Sequence, residues 1–147
     1  MHTIAIGCDP NAQAEKEKLM DFLEKKGYEI TDFGSQDPIY ANTAIAVAEA
    51  VAAGKYDRGI LICGTGLGVS IAANKVKGAY AALLSDVYSA KRARLSNDAN
   101  IACFGAFTIG QKLMEELALA FLENEFVPGC PSQEKVDRFV DYDRERG

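Results

Sequence analysis

The hexapeptide Cys63-Gly64-Thr65-Gly66-Leu67-Gly68 carries the residue types best suited to chemistry. Three glycines at alternate positions leave backbone N–H groups unobstructed by Cβ atoms. The stretch from Leu67 to Asn74 reads as a helix, whose amino end adds positive potential. Main chain alone then forms an anion site. A thiol at the mouth of such a site is favoured as the thiolate. Moving a proton between the carbons of an aldose and a ketose needs this pairing: a base for the carbon-bound proton and fixed donors for the enediolate oxygen. Cys63 would be the base. Thr65 and the N–H groups of Gly64 through Gly68 would hold the oxygen.

Two other readings fit the same loop. One is a tight turn around a buried cysteine. The other is a dinucleotide cradle, since Asp86 lies 20 residues beyond Gly66. Position 69 is Val, so the third fingerprint glycine is missing, and the loop follows the third strand pattern rather than the first.

The elements that must position this loop are visible as alternating patterns. Thr3–Cys8, Tyr28–Phe33, Arg58–Ile62, Ala79–Leu84 and Asn100–Phe104 read as strands, the third short and apolar enough to be central. Helical patterns cover Ala12–Lys26, Thr43–Ala53, Leu67–Asn74, Asp86–Leu95 and Gly110–Asn124. Gly27 and Gly54 close the first two, and Ser85 or Asp86 caps the fourth. Five strand-then-helix units in series predict an α/β fold of three layers with a five-stranded parallel sheet. Ligands bind such sheets at the carboxyl ends of their strands, here Cys8-Asp9, Cys63-Gly64 and Ser85-Asp86. From about residue 126 a tail follows, with a turn at Pro128-Gly129-Cys130-Pro131 and a polar helix over Gln133–Arg144. No linker or repeat divides residues 1–147, which predicts one domain.

Composition excludes several classes. The chain is 48% hydrophobic and 25% charged with net charge −5, and it has no long basic block, so nucleic acid is not an expected partner. The densest basic stretch, Lys91-Arg92-Ala93-Arg94, reads as a solvated helix face. No apolar run is long enough to cross a membrane, and the amino-terminal run lacks a signal-peptide pattern, which predicts a cytoplasmic protein. Cys8, Cys63, Cys103 and Cys130 form no CxxC pair and the only histidine is His2, so neither a structural zinc site nor disulfides are expected. Cys8 and Cys103 read as small buried fillers.

The stretch from Asp57 to Asn100 gives these patterns a context. It holds Asp57-Arg58-Gly59-Ile60-Leu61-Ile62-Cys63-Gly64-Thr65-Gly66, Ile71-Ala72-Ala73-Asn74-Lys75-Val76, Tyr88-Ser89-Ala90 and Ser96-Asn97-Asp98-Ala99-Asn100. With Ile4-Ala5-Ile6-Gly7-Cys8-Asp9 and Ile109-Gly110, the chain resembles the ribose-5-phosphate isomerase B / LacAB family of sugar-phosphate isomerases over nearly its whole length. The resemblance implies a Rossmann-like fold and a homodimer, often paired into tetramers, with active sites shared between subunits and no metal or organic cofactor. It implies Cys63 as the catalytic base and Gly64, Thr65, Gly66 and Gly68 as the anion-hole loop. It also implies Asp9 and Asn97 as substrate contacts, with Tyr40 matching the tyrosine of an Asp-Tyr-Pro motif whose proline is Ala41 here.

The departures concern the substrate. The family's Asp-His is Asp9-Pro10, its His-Asn-Asp is Ser96-Asn97-Asp98, its Gly-x-Arg is Gly105-Ala106-Phe107, and its carboxyl-terminal Arg-His is Cys130-Pro131. The first histidine of His-Asn-Asp assists opening of a furanose ring in the family, so its replacement by Ser96 favours a substrate already in open-chain form. Lys135 and Arg138 are candidate phosphate contacts, with Lys75, Lys91, Arg92, Arg94 and Lys112 as further candidates. Ribose 5-phosphate and its ketose are the family default. A tetrose/tetrulose 4-phosphate is the specific rival, since Tyr40-Ala41-Asn42 and Leu95-Ser96-Asn97 look similar to that branch. A non-catalytic sugar-phosphate-binding paralogue is the reading from another class.

Overall fold

Apolar runs as short and continuous as Ile4–Cys8, Ile60–Cys63 and Ile101–Phe104 can only be strands buried on both faces. The computed structural model, which describes residues 2–147, places them at the centre of one sheet. Strands β1 (Thr3–Cys8), β2 (Glu29–Asp32), β3 (Arg58–Cys63), β4 (Ala81–Leu83) and β5 (Ile101–Gly105) lie in the order β2-β1-β3-β5-β4, every pair parallel. The two edge strands are the more exposed ones.

Side chains alternate across the sheet with the period of two that strands impose. Ile4, Ile6, Ile60, Ile62 and Phe104 point to one face, under α1 (Gln13–Lys25), α4 (Val87–Leu95) and α5 (Gln111–Leu122). Ala5, Leu61, Cys63, Ile101 and Cys103 point to the other, under α2 (Tyr40–Ala52) and α3 (Leu67–Ala73). The direction of the Cys63 side chain is therefore set by its parity in β3. The five-stranded parallel sheet between two helical layers is the α/β architecture that the alternation predicts. Gly27 and Gly54 close α1 and α2 with φ of 100° and 77°, and Asp86 caps α4, accepting the Ser89 N–H at 2.7 Å.

Two expectations need correction. Helix α2 starts at Tyr40, three residues before Thr43, because Asp37 accepts the Ile39 N–H (2.8 Å) and the Asn42 amide (3.0 Å) and so organises the entry. The stretch Lys91-Arg92-Ala93-Arg94 is not simply a solvated face: Arg94 is only 4% exposed. Its guanidinium donates to Ala99 O (2.6 Å) and Asp98 (2.9 Å), and Glu125 lies at 3.5 Å. Glu125 also receives Arg58 at 2.9 Å and faces His2 at 2.6 Å. The packing of α4 on α5 desolvates Arg94, and these acceptors compensate it.

The last helix, α6 (Gln133–Glu145), is mostly polar; Val136 is buried, Phe139 lies beside the Tyr80 ring, and Asp143 is the polar anchor. Asp143 accepts from Gly78 N–H (2.8 Å), Tyr80 O–H (2.8 Å) and Arg146 (2.9 Å). Burial disfavours its charge, but these donors outweigh burial and hold the carboxyl below its ordinary value. Burial and the bond to Asp143 push the Tyr80 phenol up to about 12. Because the folded pKa of Asp143 lies below the unfolded one, its stabilisation is present above the ordinary aspartate value of about 3.9 and is lost as pH falls through the folded value. The α6 amides should therefore lose hydrogen-exchange protection on acidification below that range, ahead of the central strands. Asp143→Asn should loosen α6 at neutral pH and flatten the acid step. An unchanged acid profile in that variant would remove Asp143 as the anchor.

Candidate active site

Strand order reverses between β1 and β3, because β2 lies outside β1 while the chain after β3 builds the opposite side of the sheet. Parallel sheets bind ligands at such a switch point. Asp9 and Cys63 flank it, tied by the bond from Asp9 N–H to Ile62 O at 2.9 Å.

Cys63 ends β3 and is 5% exposed. Its Sγ accepts the Gly66 N–H at 3.1 Å, so the loop curls over the sulfur. Gly66 takes φ of 79° immediately before α3, and a Cβ there would lie 2.9 Å from the Phe104 carbonyl carbon. Thr65 Oγ1 accepts the Leu67 N–H at 3.2 Å, which leaves its own O–H free to donate. The N–H groups of Gly64, Thr65 and Gly68 have no acceptor among the described residues. Together they form an unfilled set of donors beside the sulfur.

Neighbouring elements brace the loop. Cys63 O accepts Ala106 N–H (2.8 Å) and Gly64 O accepts Phe107 N–H (2.9 Å). The Phe107 ring, 73% exposed, lies on Gly64, where a Cβ would come within 2.9 Å of it. Gly105 sits beneath the Thr65 carbonyl, with room for no side chain. Tyr40, the first residue of α2, rests its hydroxyl against Gly68 so closely that any Cβ there would overlap it. A cavity of about 280 Å³ opens beside the loop, lined by Thr65, Leu67, Leu83, Leu84, Ser85 and Thr108.

Asp9 holds the turn after β1, its Oδ1 accepting Asn11 N–H at 2.7 Å. Behind it lies Lys16, 1% exposed, with Nζ 2.7 Å from Asp32. Burial pushes the neighbouring Cys8 thiol up to about 12, with Lys16 partly opposing.

The carboxyl pole therefore gathers Cys63, Gly64, Thr65, Gly66, Gly68, Tyr40 and Asp9. It does not gather the rest. Ser96 and Asn97 follow α4 and precede β5, so they stand at the amino ends of the strands, at least the length of β5 from Cys63, or about 13 Å at 3.3 Å per residue. Lys135 and Arg138 lie exposed on α6, with the Arg138 guanidinium over the Tyr142 ring. Asp86 is spent as a helix cap. Sequence reasoning missed the bracing by Gly105 and Thr108 and the buried Lys16. The signal for Lys16 was a charge falling in register with Leu19 and Leu23 on the apolar stripe of α1.

A thiol at the switch point, beside unfilled main-chain donors on a parallel sheet covered on both faces, has the arrangement that proton transfer next to a carbonyl requires. Comparison with known proteins identifies the family. The family described as Ribose/Galactose Isomerase matches residues 4–139, and the chain belongs to it. It is 49% identical to D-erythrulose-4-phosphate isomerase 2 of Mycolicibacterium smegmatis, covering 95% of this chain and 96% of that one. It is 46% identical to ribose-5-P isomerase B of Listeria innocua, covering 96% and 97%. The structure of ribose-5-phosphate isomerase B from Clostridium thermocellum superposes with a TM-score of 0.91 at 40% identity, covering 97% and 98%. The protein is a sugar-phosphate aldose–ketose isomerase. Among the described residues, no helix is long and apolar enough to cross a membrane.

Proposed function

We propose that this protein interconverts an open-chain aldose phosphate and its ketose through a cis-enediolate, with Cys63 as the base and a tetrose/tetrulose 4-phosphate as the substrate. The observation that carries the mechanism is the Cys63 sulfur set among the unfilled N–H donors of Gly64, Thr65 and Gly68. The thiolate takes the proton from the carbon beside the carbonyl, forming S–H and the enediolate. The main-chain donors and Thr65 O–H hold the oxygen charge. Asp9 passes the hydroxyl proton between the two oxygens, and the S–H proton returns to the neighbouring carbon. Tyr40 and Gly68 fix the wall of the loop.

The substrate follows from the missing imidazole. His2 is the chain's only histidine, and it is tied to Glu125 at the amino pole. A serine hydroxyl at position 96 does not exchange protons near neutral pH as an imidazole does. Opening of a furanose ring is then poorly served, whereas a tetrulose 4-phosphate, whose 4-oxygen is esterified, forms no such ring. Ribose 5-phosphate is the second reading, favoured by the ribose-5-P isomerase relative.

The site is completed by a second copy. Within one protomer Ser96 and Asn97 cannot reach Cys63, and exposed Leu67 and Phe107 at the loop, with Ile71 exposed further along α3 and Tyr88 exposed on α4, offer apolar surface to a partner. A homodimer, alone or paired into a tetramer, with Lys135 and Arg138 as phosphate contacts, fits this arrangement. The chain acts as one domain in the cytoplasm, where its four free cysteines stay reduced.

The purified protein should turn over tetrulose 4-phosphate with kcat/KM at least about tenfold above that for ribose 5-phosphate, the worth of one well-placed polar contact. The reverse order would transfer the substrate to ribose 5-phosphate. No turnover of either, with tight binding of one, would make the protein a binding paralogue.

A further inference from the structure

Arg92, near the carboxyl end of α4, is an arginine that no carboxylate among the described residues pairs. Arg58 and Arg94 are each paired with carboxylates. Arg92 has no carboxylate partner among the described residues; its Nε donates to Ser96 Oγ at 2.6 Å. That bond spans one turn at the end of α4 and has two consequences. It locks the guanidinium plane, so little side-chain entropy remains to be lost on binding an anion. It also fills one acceptor position of Ser96, which leaves the serine O–H available as a donor. The two Nη groups make no hydrogen bond to the described residues and are not enclosed, since the side chain is half-buried beside exposed Asn97. A planar fork of donors next to an oriented hydroxyl is a receptor for a tetrahedral oxyanion.

We propose that Arg92, held by Ser96, binds the substrate's phosphate in the active site of the partner copy, where it faces the partner subunit's Cys63. The assignment rests on the shared-site reading above and names the group that sets substrate choice. Arg94 cannot serve, because its donors are already used. Ser96 is the natural support, because the family resemblance puts it at the position of the histidine of His-Asn-Asp. The short bond therefore couples the anion receptor to the residue on which the proposed open-chain preference rests.

Arg92→Met and Arg92→Lys test the proposal, with inorganic phosphate as competitor. Arg92→Met should raise KM for the sugar phosphate and Ki for inorganic phosphate together by about 10- to 100-fold, the worth of one hydrogen bond to a charged group, while kcat falls less. Arg92→Lys should recover part of both. An unchanged phosphate Ki, or a fall in kcat alone, would overturn the role, since a merely structural residue would not act selectively on phosphate. Co-expression of differently tagged Cys63→Ser and Arg92→Met chains supplies the second arm. In a hybrid dimer one of two sites keeps both groups, so at substrate well below KM about half the wild-type rate should return. No recovery would overturn the proposal, while turnover by the unaltered protein would keep the isomerase reading standing.

Discussion

Cys63→Ala should abolish exchange of the substrate's carbon-bound proton with solvent and lower kcat by about 10³-fold or more, the upper range for removing a positioned general base. The fold should survive. The side chain is small, and its loss from a buried site costs about 1 kcal/mol by the usual cavity scale. Its backbone ties to Ala106 and Gly105 remain in place. Isotope exchange separates this from a defect in binding, because a variant that binds substrate but moves no proton shows saturation without label. The thiol can also be followed directly. Cys8 and Cys103 are fully enclosed and burial pushes both thiols up, the former to about 12. In a Cys130→Ser background, iodoacetamide near pH 8 should then report Cys63 alone, and substrate should protect it. Full proton exchange in Cys63→Ala would end the thiol mechanism, whatever the family.

The strand–helix alternation made the sheet legible because central parallel strands are continuous apolar runs and the glycines closing α1 and α2 are punctuation that only positive φ explains. The loop from Cys63 to Gly68 was legible for a related reason: its glycines mark places where backbone must approach backbone. What escaped was long-range. The burial of Arg94 is decided by Ala99, Asp98 and Glu125, the last of them 31 residues away, which no local pattern encodes. The bracing of Gly64 by Phe107 and of Thr65 by Gly105 arises where β3 and β5 pair, and register is a tertiary fact. The candidate site is likewise split between poles. The family resemblance names Asn97 and Cys63 together, yet within one chain the sheet holds them apart, and the proposed second copy is what would reunite them.

Gly66→Ala should do far more damage than Gly64→Ala, and the reason tests the main-chain hole itself. At φ of 79° an alanine costs about 1–2 kcal/mol before any contact is considered. Its Cβ would then meet Leu83 Cδ1 at 2.5 Å and the Phe104 carbonyl carbon at 2.9 Å. Leu83 is a flexible end and can turn away. Phe104 is β5 backbone, paired in register with Ile62 at the centre of the sheet, and cannot. The loop must therefore lift, taking the Gly66 N–H off the sulfur and turning the donors of Gly64 and Gly68 away from the developing charge. Stability should fall by about 2–3 kcal/mol, and kcat by at least the 10²-fold that loss of one oxyanion donor costs. Gly64→Ala gives the contrast. Its Cβ meets only the ring of Phe107, an exposed side chain free to swing outward. That variant should keep its melting temperature within a few degrees and lose far less activity. Equal effects from the two substitutions would mean that the loop is a plain turn, and that its N–H groups do not carry the charge of the enediolate.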